Sequence, residues 1–382
     1  MNKNKVIFDI IHGFIELDTI TLSIIDTPEF QRLRNIKQLG AVHYVFPSAN
    51  HTRFEHSLGV YHLAGELLNN LKNNQPELLI TNRDILLVKI AGLCHDLGHG
   101  PYSHLFDTII EEITENKFGI HERRSILILE YIVNKYNIDL SEEDIKFIGN
   151  LIYPCDLDFT DIDKNRHFLY EIISNRRNGI DVDKFDYLKR DTFYLGLSFS
   201  LDCSRIIKYV RVIDGKLSYL DKTYYHILEM YEIRNKLHRQ VYKHKTIVGI
   251  ELHIEDILKN FIDLDSLVNS PEQFCKYDDY NIFDLKNYNT ELSAKISGDL
   301  KTINTRLLYK LELETNNEED LVDKKYNKLI KKIKKFKFGY TESPFKDIYF
   351  YNRNNINENF NIEKDNLSKT NEVIYRIYFN LK

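Results

Sequence analysis

Up to about residue 265 the apolar positions recur mostly at helical spacing, with polar caps between the runs. Thr27-Pro28 reads as an N-cap followed by proline at the first helical position, and Phe30, Leu33, Ile36 and Leu39 behind it approximate a helical stripe. Phe54, Leu58, Tyr61, Leu68 and Leu71 mark a second helix. Thr81 with Asp84, ahead of the apolar stretch Ile85–Leu97, has capping-box spacing, and Ser141 with Asp144 repeats it. Val6–Leu17 differs, because short apolar runs around His12-Gly13 predict a small strand pair.

The pattern then changes. Residues 265–300 are rich in Asp, Asn and Tyr with weak periodicity, and residues 324–337 are lysine-rich. In that run Tyr326, Leu329, Ile330, Ile333 and Phe336 keep helical spacing, which predicts a solvated amphipathic helix; a nucleic-acid or nuclear-import patch is the other reading. Asp347–Tyr351 and Val373–Phe379 read as strands. The expected architecture is mainly α: a helical core over 1–265 and a small α+β C-terminal lobe over 266–382, without internal repeats.

Composition narrows the class. The 382 residues are 43% hydrophobic, enough for a large core with a smaller lobe. A net charge of −5 makes the whole chain no magnet for polyanions, so any phosphate site must be a local cluster of Arg and Lys. Cys94, Cys155, Cys203 and Cys275 lie far apart and form no C-x-x-C pair, which reads as reduced thiols without a zinc ribbon. The N-terminus lacks a signal pattern and no apolar run reaches transmembrane length, so a cytoplasmic or nuclear, soluble, non-secreted protein without a membrane partner is expected.

Candidate chemistry concentrates in Ala91–His104, where an apolar helix runs into His95-Asp96 and is stopped by Gly98, Gly100 and Pro101. A carboxylate at the end of a buried helix needs a cation, and an adjacent imidazole suits a transition metal or zinc. A capped helix end with satisfied polar groups is the plain alternative. Arg53 and His56, three apart, put a phosphate-binding cation beside a potential metal ligand. Asp183, Tyr187 and Asp191 share a stripe, with Lys184 next to it. Arg234, His238, Tyr242 and Lys245 form another, offering the donors a polyphosphate needs. Each stripe alone also fits a solvated face. Together, His56, His95-Asp96 and Asp183 follow the ligand order of an HD-type metal site, which leaves His104 and His121 as candidate proton donors.

These motifs resemble the catalytic core of the SAM-and-HD-domain deoxynucleoside triphosphate triphosphohydrolases. The similar stretches are IIHGFIEL, IIDTPEFQRLRNIKQLGAVHYVFPSANHTRFEHSLGV, IAGLCHDLGHGPYSHLFD, FLYEIISNRRNGIDVDKFDYLKRD and RNKLHRQVYKHK, nearly continuous from about residue 5 to residue 250 and resuming weakly at FKFGY. The resemblance implies hydrolysis of a dNTP to deoxynucleoside and inorganic triphosphate. It implies that His56, His95, Asp96 and Asp183 hold iron or zinc, with magnesium accompanying the triphosphate. His104, Asp107 and His121 would form the catalytic acid group, and Arg53, Lys184, Tyr187 and Arg234 would grip the phosphates. Gln38, Leu39 and Asp191 would meet the sugar, and Tyr242 would pack against C2′ and exclude a ribose hydroxyl. Family members are assembled into oligomers, up to tetramers, by regulatory nucleotides. Lys5, Val6, Asp26, Gln31 and Arg34 match a guanine-selective site for a GTP or dGTP activator, and Arg205 and Lys222 match part of a second. Phe8 stands where the family has asparagine, Leu220 where it has arginine, and the chain begins almost at the core, with no SAM domain ahead of it.

Two other readings compete: an HD phosphohydrolase of a ribonucleotide or a nucleoside monophosphate, and a non-catalytic nucleotide sensor or nucleic-acid binder. The first has no use for sugar-directed Gln38, Asp191 and Tyr242, and the second none for a full ligand set.

Overall fold

The computed structural model describes residues 4–113, 119–261, 267, 269–280, 291–322, 331–340, 343–361 and 371–379. Its centre is α3 (Arg53–Asn74), whose Phe54, Val60, Ala64, Leu67 and Leu71 are buried around most of the helix circumference. A helix apolar on all sides must be covered on all sides. α4 (Asn82–Cys94) and α8 (Val182–Tyr194) pack on it. The α3–α8 approach requires Gly59, because a Cβ there would lie 1.9 Å from Asp186 Oδ1. Ahead of these helices come a hairpin, β1 (Lys5–Asp9) with β2 (Gly13–Leu17), then α1 (Thr19–Ile25) and the single-turn α2 (Pro28–Gln31). α5 (His104–Ile113), α6 (His121–Tyr136) and α7 (Glu142–Ile152) complete the site side of the core. Both expected capping boxes form, at Thr81/Asp84 and Ser141/Asp144.

After α9 (Ser204–Tyr209), β3 (Arg211–Ile213) and β4 (Lys216–Leu220) make a hairpin. α10 (Tyr224–Leu237) then passes through a π-helical turn, His238–Tyr242, into α11 (Lys245–Phe261). Such turns recur at functional sites. The later segments hold β5 (Lys310–Thr315), β6 (Lys331–Phe338), β7 (Tyr349–Asn352), β8 (Asn355–Phe360) and β9 (Glu372–Phe379). They divide between two sheets. β7 pairs in parallel with β4 in the order β3-β4-β7-β8, while β5-β9-β6 is antiparallel.

Two expectations fail. The Phe30–Leu39 stripe is not one helix: α2 ends at Gln31, the chain tightens into a 3₁₀ turn over Arg32–Asn35, and Ile36 is extended. Leaving the helix there lets Gln38 N–H donate to His51 O and Arg53 N–H to Ile36 O, which fixes this loop against the start of α3. The lysine run is no amphipathic helix over 331–338, where the chain is strand β6 with alternating burial; Tyr326, Leu329 and Ile330 lie outside the described residues. Tertiary pairing overrides the helical spacing. β9 pairs along the whole strand, while Lys332 reaches Asp256 (2.8 Å) and Lys334 reaches Glu255 (2.9 Å) on α11. Among the described residues no helix is long and apolar enough to cross a membrane.

Candidate active site

Three helix ends converge. His56 lies in the first turn of α3, His95 caps the end of α4 with Asp96 next, and Asp183 is in the first turn of α8. His56 Nε2 is 3.1 Å from Asp183 Oδ1 and 3.5 Å from Asp96 Oδ2. His95 Nε2 is 3.4 Å from each carboxylate. Both outer nitrogens are tied elsewhere, His56 Nδ1 to Asp186 (2.7 Å) and His95 Nδ1 to Gly92 O (2.8 Å). Donation from Nδ1–H fixes the ring and turns the Nε2 lone pair inward, as metal-binding histidines require.

The electrostatics fit a cation. Burial opposes charging His56, yet bonds to Asp183 and Asp186 and the charge of Asp96 push it up to about 10. Burial also opposes ionisation of Asp183, but the two histidines hold it far below the usual carboxylate range. His56, His95 and Asp183 offer ligand atoms within 4.8 Å of one another, and Asp96 completes two imidazoles and two carboxylates. This donor set suits a divalent transition metal.

A buried network unsuspected from the sequence supports His56. Asp186 accepts from Arg190 Nε (2.9 Å) and meets His12 Nε2 at 2.6 Å, while Arg190 Nη1 reaches Asp9 at 2.9 Å. Asp186 follows Asp183 by three residues, one turn on the same face, and that spacing was the only signal of it.

A second group adjoins the first. Asp107 accepts from His121 Nδ1 (2.9 Å), lies 3.6 Å from His104 Nδ1, and pairs with the buried guanidinium of Arg124. His99 sits 3.3 Å from Asp96 and 3.4 Å from Asp107 without the alignment of a hydrogen bond, and stacks on His121 at 3.9 Å. Neither His99 nor Arg124 was singled out from the sequence; His99 falls one turn past His95-Asp96. Burial and the charges of Arg53 and His121 keep His99 well below its ordinary pKa, whereas Asp107 raises that of His121 against the cost of burial. Gly98 permits this assembly, since a Cβ would meet His121 O at 2.0 Å.

Both groups open onto one cavity of about 700 Å³, lined also by Gln38, Leu39, Arg53, Lys184, Tyr187, Asp191, Arg234 and Tyr242. Lys184 Nζ bonds Asp181 (2.9 Å), and Arg53 is spread over Asp96 (2.7 Å), Ser103 Oγ (3.1 Å) and Gln38 O (3.2 Å). Arg176 lines the cavity too, and sequence reasoning missed it. Farther along α8, Asp191 joins His51 Nε2 (2.7 Å) to the Tyr242 hydroxyl (2.5 Å). Gln38 lines the same cavity, and its buried Oε1 has no hydrogen-bond partner among the described residues.

The candidate regulatory residues lie elsewhere. Lys5 and Val6 on β1, Asp26, Arg34, Arg205 and Lys222 are exposed, and none lines the cavity. Gln31 accepts from Arg34 Nε (2.7 Å), whose guanidinium sits 3.5 Å over the Phe54 ring. Phe8 is exposed against Phe14, and Leu220 is fully buried in β4.

Comparison with known proteins agrees with this geometry. The HD domain matches residues 53–190. The deoxynucleoside triphosphate triphosphohydrolase SAMHD1 homolog of Dictyostelium discoideum is 38% identical over 96% of this chain and 74% of its own length. Deoxynucleoside triphosphate triphosphohydrolase SAMHD1 of Homo sapiens is 42% identical over 81% of this chain, which spans only 55% of that protein. A putative HD domain-containing protein, L394, of Acanthamoeba polyphaga mimivirus is 34% identical over 96% of this chain and 90% of its own length. Similarity of this depth and extent, around an HD centre with its ligands in order, means that the chain belongs to the SAMHD1 family of HD-domain deoxynucleoside triphosphate triphosphohydrolases.

Proposed function

We propose that this chain hydrolyses dNTPs to deoxynucleoside and inorganic triphosphate. One observation carries the reading: a single cavity is lined by the HD pair, a histidine–aspartate proton group, a set of cations and the Asp191–Tyr242–Gln38 cluster. The names of the relatives support it.

His56, His95, Asp96 and Asp183 would hold iron or zinc, which when bound supplies Lewis acidity and lowers the pKa of water. The side chains do the rest. Lys184, Arg234 and the Tyr187 hydroxyl bind the triphosphate, with magnesium as its counter-ion, and offset charge developing at phosphorus. Tyr187 stays protonated as a donor, because burial pushes it up to about 12 despite Arg234 and Lys184. The Asp191–Tyr242 pair and Gln38 orient the sugar, and Tyr242 leaves no room for a 2′-hydroxyl. Water adds to the α-phosphorus and gives up a proton to solvent as the bond to the 5′-oxygen breaks, and the His104–His121 group held by Asp107 gives that oxygen its proton.

Residues 1–265 form the catalytic unit in this reading, and 266–382 the lobe that braces it. Lys5, Val6, Asp26, Gln31 and Arg34 would take GTP or dGTP at a subunit interface of a homo-oligomer, with Arg205 and Lys222 at a second site. The test is turnover of the four dNTPs and ATP with magnesium, with and without GTP, products separated by ion exchange, and Asp183→Ala in parallel. Deoxynucleoside and triphosphate from dNTPs alone, lost in the variant and on chelation, are expected. Faster turnover of ATP or of nucleoside monophosphates, or none with added iron or zinc, overturns the proposal.

A further inference from the structure

We infer that Lys243 and Glu251 form a donor–acceptor pair that reads the edge of the base, and that their chemistry fits guanine best. This rests on the hydrolase reading above, because it assigns the nucleoside end of the same cavity.

Lys243 directly follows Tyr242, whose hydroxyl holds Asp191, so its side chain begins where the sugar cluster ends. Its ammonium lies 5.6 Å from the Phe336 ring and makes no ion pair among the described residues. Glu251, in the second turn of α11, lines the same cavity and feels the charge of Lys243. The other acidic residues on this stretch of α11 are matched: Glu255 with Lys259 and Lys334, each at 2.9 Å, and Asp256 with Lys332 at 2.8 Å. Glu251 has no hydrogen bond and no ion pair among the described residues. A half-buried carboxylate left open to a cavity is costly unless something entering the cavity bonds it. Burial raises Glu251 to about 6, opposed by the charges of Lys243 and Lys334 and assisted by Glu255, so near neutral pH it is mainly an acceptor. α11 also packs against the Gly40–Tyr44 turn, so Leu39, Gly40 and Val42 wall the same end and suit the faces of a flat ring.

The base edges differ in what they offer this pair. Guanine carries two adjacent N–H donors for the carboxylate fork, beside a carbonyl for the ammonium. Thymine has carbonyls but no amino group, adenine has an amino group but no carbonyl, and cytosine has both but no ring N–H beside its amino group to fill the second arm of the fork. Glu251 therefore separates guanine from thymine, and Lys243 separates guanine from adenine.

The full chain is assayed with dGTP, deoxyinosine triphosphate, dCTP, dTTP and dATP. Saturating GTP is kept throughout, so that activation does not imitate preference. Binding of the same nucleotides is measured by calorimetry with calcium replacing magnesium. Wild type should favour dGTP over dTTP by about tenfold or more in kcat/KM and in affinity. Glu251→Leu should erase that ratio and the difference between dGTP and deoxyinosine triphosphate, which lacks the 2-amino group. Lys243→Met should lower dGTP relative to dATP. Should Glu251→Leu fail to fold, Glu251→Gln must still reduce the dGTP:dTTP ratio at an unchanged melting temperature. Equal wild-type preference for all bases, or equal losses for every base in the variants, overturns the inference. Base-ordered binding without turnover would instead sink the hydrolase reading and leave this one standing.

Discussion

Two histidine–aspartate groups meet in this site, and their ties to the rest of the protein separate their roles. In the first, both imidazoles are anchored through Nδ1, to Asp186 and to Gly92 O, and both Nε2 atoms face Asp96 and Asp183. In the second, Asp107 already has a buried cation, Arg124, and the rings of His99 and His121 stack on each other. Ligand-atom proximity alone would let either group hold a metal. Charge decides between them. Each group has one carboxylate paired with a buried arginine, Asp96 with Arg53 and Asp107 with Arg124, but the first holds a further carboxylate, Asp183, that meets only histidines among the described residues. That excess of carboxylate suits the first group to a cation, and the proposed reading gives the second the proton transfer.

The strongest attempt to break this division removes a ligand. Asp183→Ala should lose the metal, read by elemental analysis, and lower kcat by at least about 10³-fold, the scale of several kcal/mol of Lewis-acid stabilisation. A variant that keeps both metal and rate would refute the assignment. Next, His121→Gln should keep the metal and fall in kcat by about 10²–10⁴-fold, the usual contribution of a general acid. Asp107 raises the pKa of His121, so the acid is charged below that pKa and the rate falls as pH rises through it. Asp107→Asn removes the raising charge and should move the alkaline limb of the pH–rate profile to lower pH. Metal loss in His121→Gln, or an unmoved limb in Asp107→Asn, would merge the two groups.

The approach of His56, His95, Asp96 and Asp183 to one another was legible in the sequence because His95-Asp96 is one dipeptide at a helix end, while His56 and Asp183 fall on two further helical stripes. The mainly α character and the strands at 349–352 and 372–379 were equally local. What supports the site was not. Asp9, His12, Asp186 and Arg190 meet across as many as 181 positions of sequence, and their approach depends on Gly59, a residue with no side chain to announce it. The π-helical turn at His238–Tyr242 leaves no compositional mark. In the lysine run, Ile333 and Phe336 fit a helix only while the partner strand is out of view. Once β9 pairs with it, the inward lysines are explained by the acidic face of α11.

A smaller effect sharpens the first group further. Asp186→Asn leaves all four ligands in place but weakens the acceptor that orients His56, so metal affinity should drop about 10–100-fold. Competition against a metal-binding dye would read this. An unchanged affinity would mean that packing alone holds the ring.

The smallest expected effect lies outside both groups, at Asp279. Its Oδ1 accepts from Tyr102 N–H (2.7 Å) and its Oδ2 from Lys37 N–H (2.8 Å), joining the Gln38–Leu39 loop to the turn that precedes His104. Tyr102 and Ser103 take left-handed φ values of 62° and 56°, which non-glycine residues adopt at a cost that these bonds offset. In Asp279→Asn one of the two N–H groups would face an amide NH₂, a loss of about 1–3 kcal/mol locally. KM should rise severalfold while kcat changes little, since the sugar loop loosens and the metal and proton groups do not. Burial raises the Asp279 pKa from 3.8 to about 6, so the folded chain takes up this proton more readily than the unfolded one. The contribution of this group to stability is therefore largest below 3.8 and is lost as pH rises through about 6. The melting-temperature difference between wild type and Asp279→Asn should shift in favour of wild type on acidification across that window. A pH-independent difference together with an unchanged KM would show that the segment around residue 279 merely covers the loops and does not set their position.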